Sequence, residues 1–399
     1  MAVKNTSYMK IQNKTKKILA ITGIRSEYDI LYPVLEKLNS DPDFELQVLV
    51  TGAHLSERYG KTVDIIERDG FAIAERVNNL LDSDDKMSRV ISLGNQIPAF
   101  AKVFNRVKPD IVLVVGDREE AITVSLTGAY MDIPVAHIAG GDIAKDGNID
   151  NSVRYATSKF AHIHFTILEQ HKQTLLKLGE DGWRIFTVGN PALDRFLATP
   201  VLNKKQIAEN IGFDIANDKY LVLIQHPIIT DVENEARNIR ETLDAVIESG
   251  YKCLINYPNS DAGNFAIIEA YEEYVKKYKQ LYVFKNLDRL NYINILRNAS
   301  CLLGNSSSGI IEAPSLGLPV VNIGSRQHGR IQAGNVVFVE NDKIQIKTAI
   351  SKALTDTTYI NSVMAIKNPY GDGHSSSKIV EVLRNIELND KLVHKNITY

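Results

Sequence analysis

A chain of 399 residues with 44% hydrophobic and 24% charged residues has the composition of a folded globular protein with material for two or three domains. That excludes a disordered tail, a coiled rod and a single small domain. Its 46 Lys plus Arg stand against 48 Asp plus Glu, a formal net charge of -2. No global field draws it to DNA, RNA or an anionic membrane, so an anionic ligand has to be held locally.

Cys253 and Cys301, the two cysteines, each lie in an apolar run and read as buried small hydrophobes of a reducing compartment, which excludes zinc fingers and a disulfide framework. No apolar run approaches the ~18 residues that span a bilayer. The polar, lysine-bearing start from Met1 to Lys17 lacks the apolar core of an export signal. The expectation is a cytoplasmic protein without a nucleic-acid or membrane partner.

Short β-branched runs alternate with segments of helical spacing, the pattern of strands buried on both faces of a parallel sheet. Ile18 to Thr22 leads through Gly23-Ile24-Arg25 into a helix with the apolar face Ile30, Leu31, Val34, Leu35 and Leu38. Further strands are expected at Leu46 to Val50, Ile111 to Val115, Val135 to Ile138, Ile163 to Thr166 and Ile185 to Val188, six for one sheet. Breakers at Gly189-Asn190-Pro191 and Thr199-Pro200 separate a second series. Its strands are expected at Leu221 to Gln225, Cys253 to Asn256, Tyr282 to Phe284, Cys301 to Leu303, Val320 to Ile323 and Val336 to Val339. A last helix, Ser375 to Leu388, follows the turn Asn368 to Gly373. The expected organisation is 1–195, 196–374, and a terminal helix and tail 375–399 that packs back on the body.

Ligands of open α/β sheets bind beyond the carboxyl ends of the strands, so polar residues following a strand come first. Gly304-Asn305-Ser306-Ser307-Ser308-Gly309 opens a helix and reads either as a phosphate seat or as a serine cap. No Gly-Lys-Ser or Gly-Lys-Thr ends it, so it is not a Walker loop. His226 follows the first strand of the second series, placed to donate to a phosphate, to move a proton, or simply to pack. Asp117, in Gly116-Asp117-Arg118, is a carboxylate at a strand end or a helix cap.

The densest stretch runs from His137 through Gly140, Gly141 and Asp142 to Asp146, Gly147, Asn148, Asp150, Asn151 and Arg154. Asp142 and Asp150 can join Asp117 for acid/base work, with a solvated acidic loop or a magnesium site as other readings. His162 and His164 share a strand face without a third ligand, so packing is preferred to zinc and no metal is assigned. Arg25 and Arg326 follow strands in the two halves and read either as partners suited to a diphosphate or as ordinary surface arginines.

The residues resemble the hydrolysing UDP-N-acetylglucosamine 2-epimerases of sialic acid and related nonulosonic acid synthesis, over nearly the whole chain. In the first half the matching pieces are Gly23 to Tyr28, Thr51 to Leu55 with Tyr59-Gly60, Gly116 to Arg118, and His137 through Asp150 with Arg154. In the second they are His226-Pro227, Pro258 to Gly263, Gly304 to Gly309 with Glu312, and Gly324 to Gln327. The resemblance implies a GT-B-like α/β fold of two Rossmann-type doubly wound domains with the active site in the cleft between them. It implies release of UDP from a UDP-2-acetamido sugar by anti elimination, then hydration of the glycal to N-acetylmannosamine, without NAD, in a homodimer or homotetramer.

By the same correspondence Asp117 and Asp142 are candidate base and acid, in either order, with Asp150 orienting the sugar or sharing a proton as a third catalytic residue. Arg25, Arg118, His226, Ser306, Ser307 and Arg326 would grip the diphosphate, His226 also counting among the catalytic residues. Asn259 would lie along the nucleotide and Glu312 would accept from the ribose. The chain departs from the common pattern at Asp142 (often Glu), Asn151 (often Asp) and Tyr155 (often His). These departures bear on the sugar, and a 2,4-diacetamido-trideoxy donor, as in legionaminic acid synthesis, is the nearest variant. Competing readings are a non-hydrolysing 2-epimerase, whose typical His-Arg-Arg-Glu-Asn run is replaced here by His226-Pro227-Ile228, a GT-B glycosyltransferase, and a silent nucleotide-sugar sensor.

Overall fold

The computed structural model describes residues 15–399 except 82, 84, 144–148, 260, 262, 286, 397 and 399. Asp146, Gly147 and Asn148 of the acidic stretch, Ser260 and Ala262, and most of the chain start therefore lie outside the described residues. The chain divides into two compact units, Met1–Asp194 with Gly373–Tyr399, and Arg195–Asp372. Among the described residues no helix is long and apolar enough to cross a membrane.

The first unit holds β1 (Lys16–Thr22), β2 (Phe44–Thr51), β3 (Ile73–Val77), β4 (Ile111–Val115), β5 (Val135–Ile138), β6 (Ile163–Thr166) and β7 (Ile185–Thr187). All pairings are parallel, in the order β3-β2-β1-β4-β5-β6-β7. The sequence reading expected six strands and missed β3. Its segment Ile-Ala-Glu-Arg-Val carries two charges because it is an edge strand with one end residue, Val77, buried. The strand order turns around between β1 and β4, and there the polar loops after these strands begin.

The second unit holds β8 (Tyr220–Ile224), β9 (Lys252–Asn256), β10 (Leu281–Phe284), β11 (Cys301–Gly304), β12 (Val320–Ile323) and β13 (Val336–Val339), parallel in the order β10-β9-β8-β11-β12-β13. Successive residues face opposite sides, and both sides are covered by helices. Leu221, Leu223, Cys253, Ile255, Cys301 and Leu303 pack in one core, while Tyr220, Val222, Ile224, Leu254 and Leu302 pack in the other. This two-faced burial is why the strands read as unbroken apolar runs.

The last helix is Ser375–Asn385, shorter than the expected Ser375 to Leu388, and a separate turn of helix, Asp390–Val393, follows. It belongs to the first unit because that unit satisfies both its ends. The buried Asp194 carboxylate accepts from the Ser375 and Ser376 N–H groups at 3.0 and 2.6 Å, satisfying first-turn donors. At the other end Lys16 Nζ donates to the carbonyls of Leu383, Arg384 and Ile386 at 2.9, 2.8 and 2.7 Å. Farther on, Lys395 Nζ donates to the Ala161 carbonyl at 2.6 Å and pairs with the buried Glu180 at 2.6 Å.

Gly304 ends β11 at φ +106°, where a Cβ would stand 2.2 Å from the Ile224 carbonyl oxygen. Gly304→Ala is therefore expected to destabilise the second unit by about 2–4 kcal/mol, read as a lower denaturant midpoint. An unchanged midpoint would mean that β8 and β11 can move apart at no cost.

Candidate active site

In the first unit Gly116, at φ +81°, turns the chain after β4 and places Asp117 and Arg118 ahead of the helix Glu119–Tyr130. That helix begins without a side-chain cap, so Asp117 is not spent on its N-terminus. His137 Nε2 donates to the Gly116 carbonyl at 2.7 Å and Ser158 Oγ meets its Nδ1 at 3.3 Å. Burial pushes this imidazole down to about 3, so it stays neutral and acts as a strut between β5 and the β4 turn.

The chain leaving β5 passes Ala139 at φ +65° and Gly141 at φ +79° before Asp142. A Cβ on Gly141 would sit 2.3 Å from the His171 carbonyl oxygen, so only glycine allows the helix Glu169–Lys177 to approach this closely. The helix Ile149–Phe160 then supplies Asp150 and, one turn later, Arg154. The Arg154 guanidinium pairs with Asp117 Oδ2 and approaches Asp142 Oδ2 at 3.7 Å, joining the two acids through one buried cation.

The environments of these acids differ in sign. Burial raises the Asp117 carboxyl, aided by the charges of Asp150 and Asp142 and outweighing the pull of Arg154 and Arg118. Burial also works to raise Asp142, but the hydrogen bond and charge of His171, the Arg154 charge and the Ile143 N–H together pull it down to about 2. Arg118 loses hydration on burial, yet the carboxylates of Glu120, Glu119, Glu27 and Asp150 raise its pKa and keep it cationic. Arg25 stands at the start of the helix Arg25–Ser40, exposed and 4.0 Å from Asp29.

In the second unit His226 follows β8. Its Nδ1 accepts the Asn259 N–H at 3.1 Å, which leaves the ring proton of the neutral form on Nε2. Burial first, and then the Arg326 charge, lower His226 to about 4, so it is a neutral donor at pH 7. Asn305 stitches the strand ends together. Its side chain accepts the His226 N–H at 2.7 Å and donates to the His226 carbonyl at 2.8 Å, while its own carbonyl accepts from Arg326 at 3.2 Å and Gln327 at 2.9 Å.

Ser306 and Ser307 lie in the turn after β11, before the single helical turn Ser308–Ile311. Burial holds the Glu312 carboxyl above its ordinary range against a hydrogen bond from Ser308, and its Oε2 has no partner among the described residues. The second unit thus gathers His226, Asn259, Ser306, Ser307 and Arg326 about the ends of β8, β9, β11 and β12. The first gathers Asp117, Asp142, Asp150 and Arg118, with Arg25 at the neighbouring strand end. His162 and His164 have separate partners: His162 Nδ1 accepts the Val135 N–H at 3.0 Å, and His164 Nε2 meets Glu180 at 3.0 Å.

Four further residues enter the first site. Arg154 was legible as a cation one turn after Asp150 on the same helix face. Glu27 and Glu120 are buried acids behind the β1 and β4 turns. Glu27 Oε2 accepts the Gly23 N–H at 3.2 Å, and burial, then the Glu120 charge, hold its carboxyl well above the usual range. His171 has no local signal in the sequence, since its partner lies in a different loop.

The protein-family profile described as UDP-N-acetylglucosamine 2-epimerase matches residues 36–384. A Legionella pneumophila protein described as UDP-N,N'-diacetylbacillosamine 2-epimerase (hydrolyzing) is 34% identical over 96% of this chain and 100% of its own length. A Campylobacter jejuni protein described as GDP/UDP-N,N'-diacetylbacillosamine 2-epimerase (hydrolyzing) is likewise 34% identical, over 96% of this chain and 98% of its own. The fold matches the crystal structure of the UDP-GlcNAc 2-epimerase from Neisseria meningitidis with a TM-score of 0.75 at 22% identity, covering 92% of this chain and 99% of that one. Two Rossmann-like parallel sheets of the GT-B-like kind and a match along most of the sequence agree, and the chain belongs to the UDP-N-acetylglucosamine 2-epimerase family as a hydrolysing-type member.

Proposed function

We propose that the protein is a hydrolysing 2-epimerase acting on UDP-2,4-diacetamido-2,4,6-trideoxyglucose, that is UDP-N,N'-diacetylbacillosamine, and releasing UDP with the free manno-configured sugar. The observation that carries the substrate is that both full-length relatives at 34% identity have the diacetylbacillosamine sugar in their names. Asp142, Asn151 and Tyr155, where many hydrolysing UDP-N-acetylglucosamine enzymes have other residues, favour the same change of sugar.

The chemistry removes the C2 proton as the C1–O bond breaks and UDP departs, leaving a C1–C2 double bond. Water then adds its hydroxyl to C1 while C2 takes a proton on the opposite face. This requires one ionised and one protonatable acid near the sugar, and cations or donors on the diphosphate. Asp142, pulled down to about 2, suits the ionised partner, and Asp117, raised by burial, suits the protonatable one. Asp150 orients the sugar. Arg25, Arg118, the His226 Nε2–H, Ser306, Ser307 and Arg326 hold the diphosphate, Asn259 lies along the nucleotide, and Glu312 accepts from the ribose hydroxyls.

Incubation in heavy water with each donor, followed by proton NMR, tests the reading. The expected result is free 2,4-diacetamido-2,4,6-trideoxymannose with deuterium at C2 plus UDP, at a kcat/KM at least about 100-fold above that for UDP-N-acetylglucosamine. Comparable turnover of UDP-N-acetylglucosamine to N-acetylmannosamine would restore the sialic acid reading. A UDP-linked manno product would move the protein to the non-hydrolysing branch.

A further inference from the structure

Among the described residues the Asp142 carboxylate is held more closely at one oxygen than at the other. Its Oδ1 faces His171 Nε2 at 3.2 Å and accepts the Ile143 N–H at 2.8 Å. Its Oδ2 has the looser 3.7 Å approach of Arg154. His171 is buried at 7% exposure, and its Nδ1 has no hydrogen-bond partner among the described residues, so Asp142 is the contact that gives this polar ring a role. The close packing of Gly141 against the His171 backbone fixes where the ring sits relative to the acid.

We propose that His171 is a positioning residue for Asp142: donating from Nε2, it fixes Oδ1, keeps the carboxylate ionised and leaves Oδ2 as the oxygen that takes the C2 proton. The part concerning the C2 proton rests on the function proposed above. An aspartate has one rotatable bond fewer than a glutamate, so pinning one oxygen of the short acid determines the position of the other. Among the described residues the charged and titratable groups that face Asp142 are Arg154 and Tyr155 of the helix Ile149–Phe160, His171, and Asp117 beyond Arg154.

Two variants of similar polarity separate the donor from the bulk. Glutamine carries its amide nitrogen roughly where histidine has Nε2, whereas the asparagine amide stops short of Asp142. His171→Asn is expected to lower kcat about 10- to 100-fold with KM and the Kd for UDP within about threefold, and to move the acid limb of kcat/KM up by about one pH unit or more. The sign follows from the geometry: a base that loses its hydrogen-bond donor holds its proton to higher pH. His171→Gln is expected to recover most of the rate and the original limb.

A carbon-13 NMR titration of the Asp142 carboxyl in wild type and both variants reads the same shift without substrate. An upward move in His171→Asn alone supports the positioning role even if the wild type turned over neither donor, an outcome that would overturn only the proposed function. An acid limb and carboxyl titration unmoved in a folded His171→Asn protein, or His171→Gln as defective as His171→Asn, would overturn the inference.

Discussion

Asp117→Asn is expected to lower kcat by about a thousandfold or more while the Kd for UDP stays within about threefold, because an amide of the same shape can neither give nor take the proton. The substitution leaves Arg154 beside Asp142, so the buried cation keeps one carboxylate and the fold is retained. Arg326→Ala is the complementary test. Removing a cation from the end of β12 is expected to raise KM and the Kd for UDP about 10- to 100-fold with a smaller change in kcat. Stopped-flow turnover and calorimetric UDP binding on both variants check the division of labour. Loss of UDP binding in Asp117→Asn would remove Asp117 from the acid/base role, and unchanged affinity in Arg326→Ala would remove Arg326 from the diphosphate.

The second large effect is acid destabilisation of the first unit, starting well above the carboxylate range. His54, His137 and His162 are buried and neutral, lowered chiefly by burial from 6.5 to about 4, 3 and 4 respectively. Burial is what keeps the His54 and His137 rings neutral, since the Thr22 and Thr62 hydroxyls at 2.9 and 2.7 Å and the Gly116 carbonyl can accept from either ring form, whereas the Val135 N–H donating to His162 Nδ1 needs that nitrogen unprotonated. Below pH 6.5 the unfolded chain gains a proton on each ring that the folded unit refuses until about pH 4. Stability therefore falls as pH drops through that window, by up to about 1.4 kcal/mol per pH unit per ring, enough in total to approach the whole margin of a domain within two units.

The raised carboxyls of Glu27 and Glu120 act in the opposite direction. The folded unit holds their protons more tightly than the unfolded chain does, so acid relieves them and offsets part of the loss. Urea midpoints at pH 7.5, 6.0 and 5.0 check the balance. His162→Gln should remove one ring's share of the dependence, and a midpoint independent of pH would mean that the rings are protonated in the folded state.

Much of the architecture was legible because a strand buried on both faces has to be apolar throughout. Ile111–Val115, Val135–Ile138, Ile163–Thr166, Val320–Ile323 and Val336–Val339 begin and end where the sequence pattern puts them. The edge strand β3 escaped because Glu75, half-buried, and Arg76, exposed, fall on opposite faces of a strand at the end of the sheet, so neither face reads as an unbroken apolar run. Loop residues at strand ends, Asp117, Asp142, His226, Ser306 and Arg326, were legible through the doubly wound topology, which puts such loops at the ligand-binding end of the sheet.

What joins those residues was not legible. Arg154 links Asp117 to Asp142, and His171 holds Asp142, through helices that local periodicity defines only as amphipathic segments. The sequence by itself determined the parallel sheets and the chemical types at their carboxyl ends, since burial and strand-end geometry act on neighbouring residues along the chain. Only the tertiary structure decided which acid is held ionised and which is raised, because those shifts depend on burial and on charges only a few ångströms apart, set by how each helix docks on its sheet.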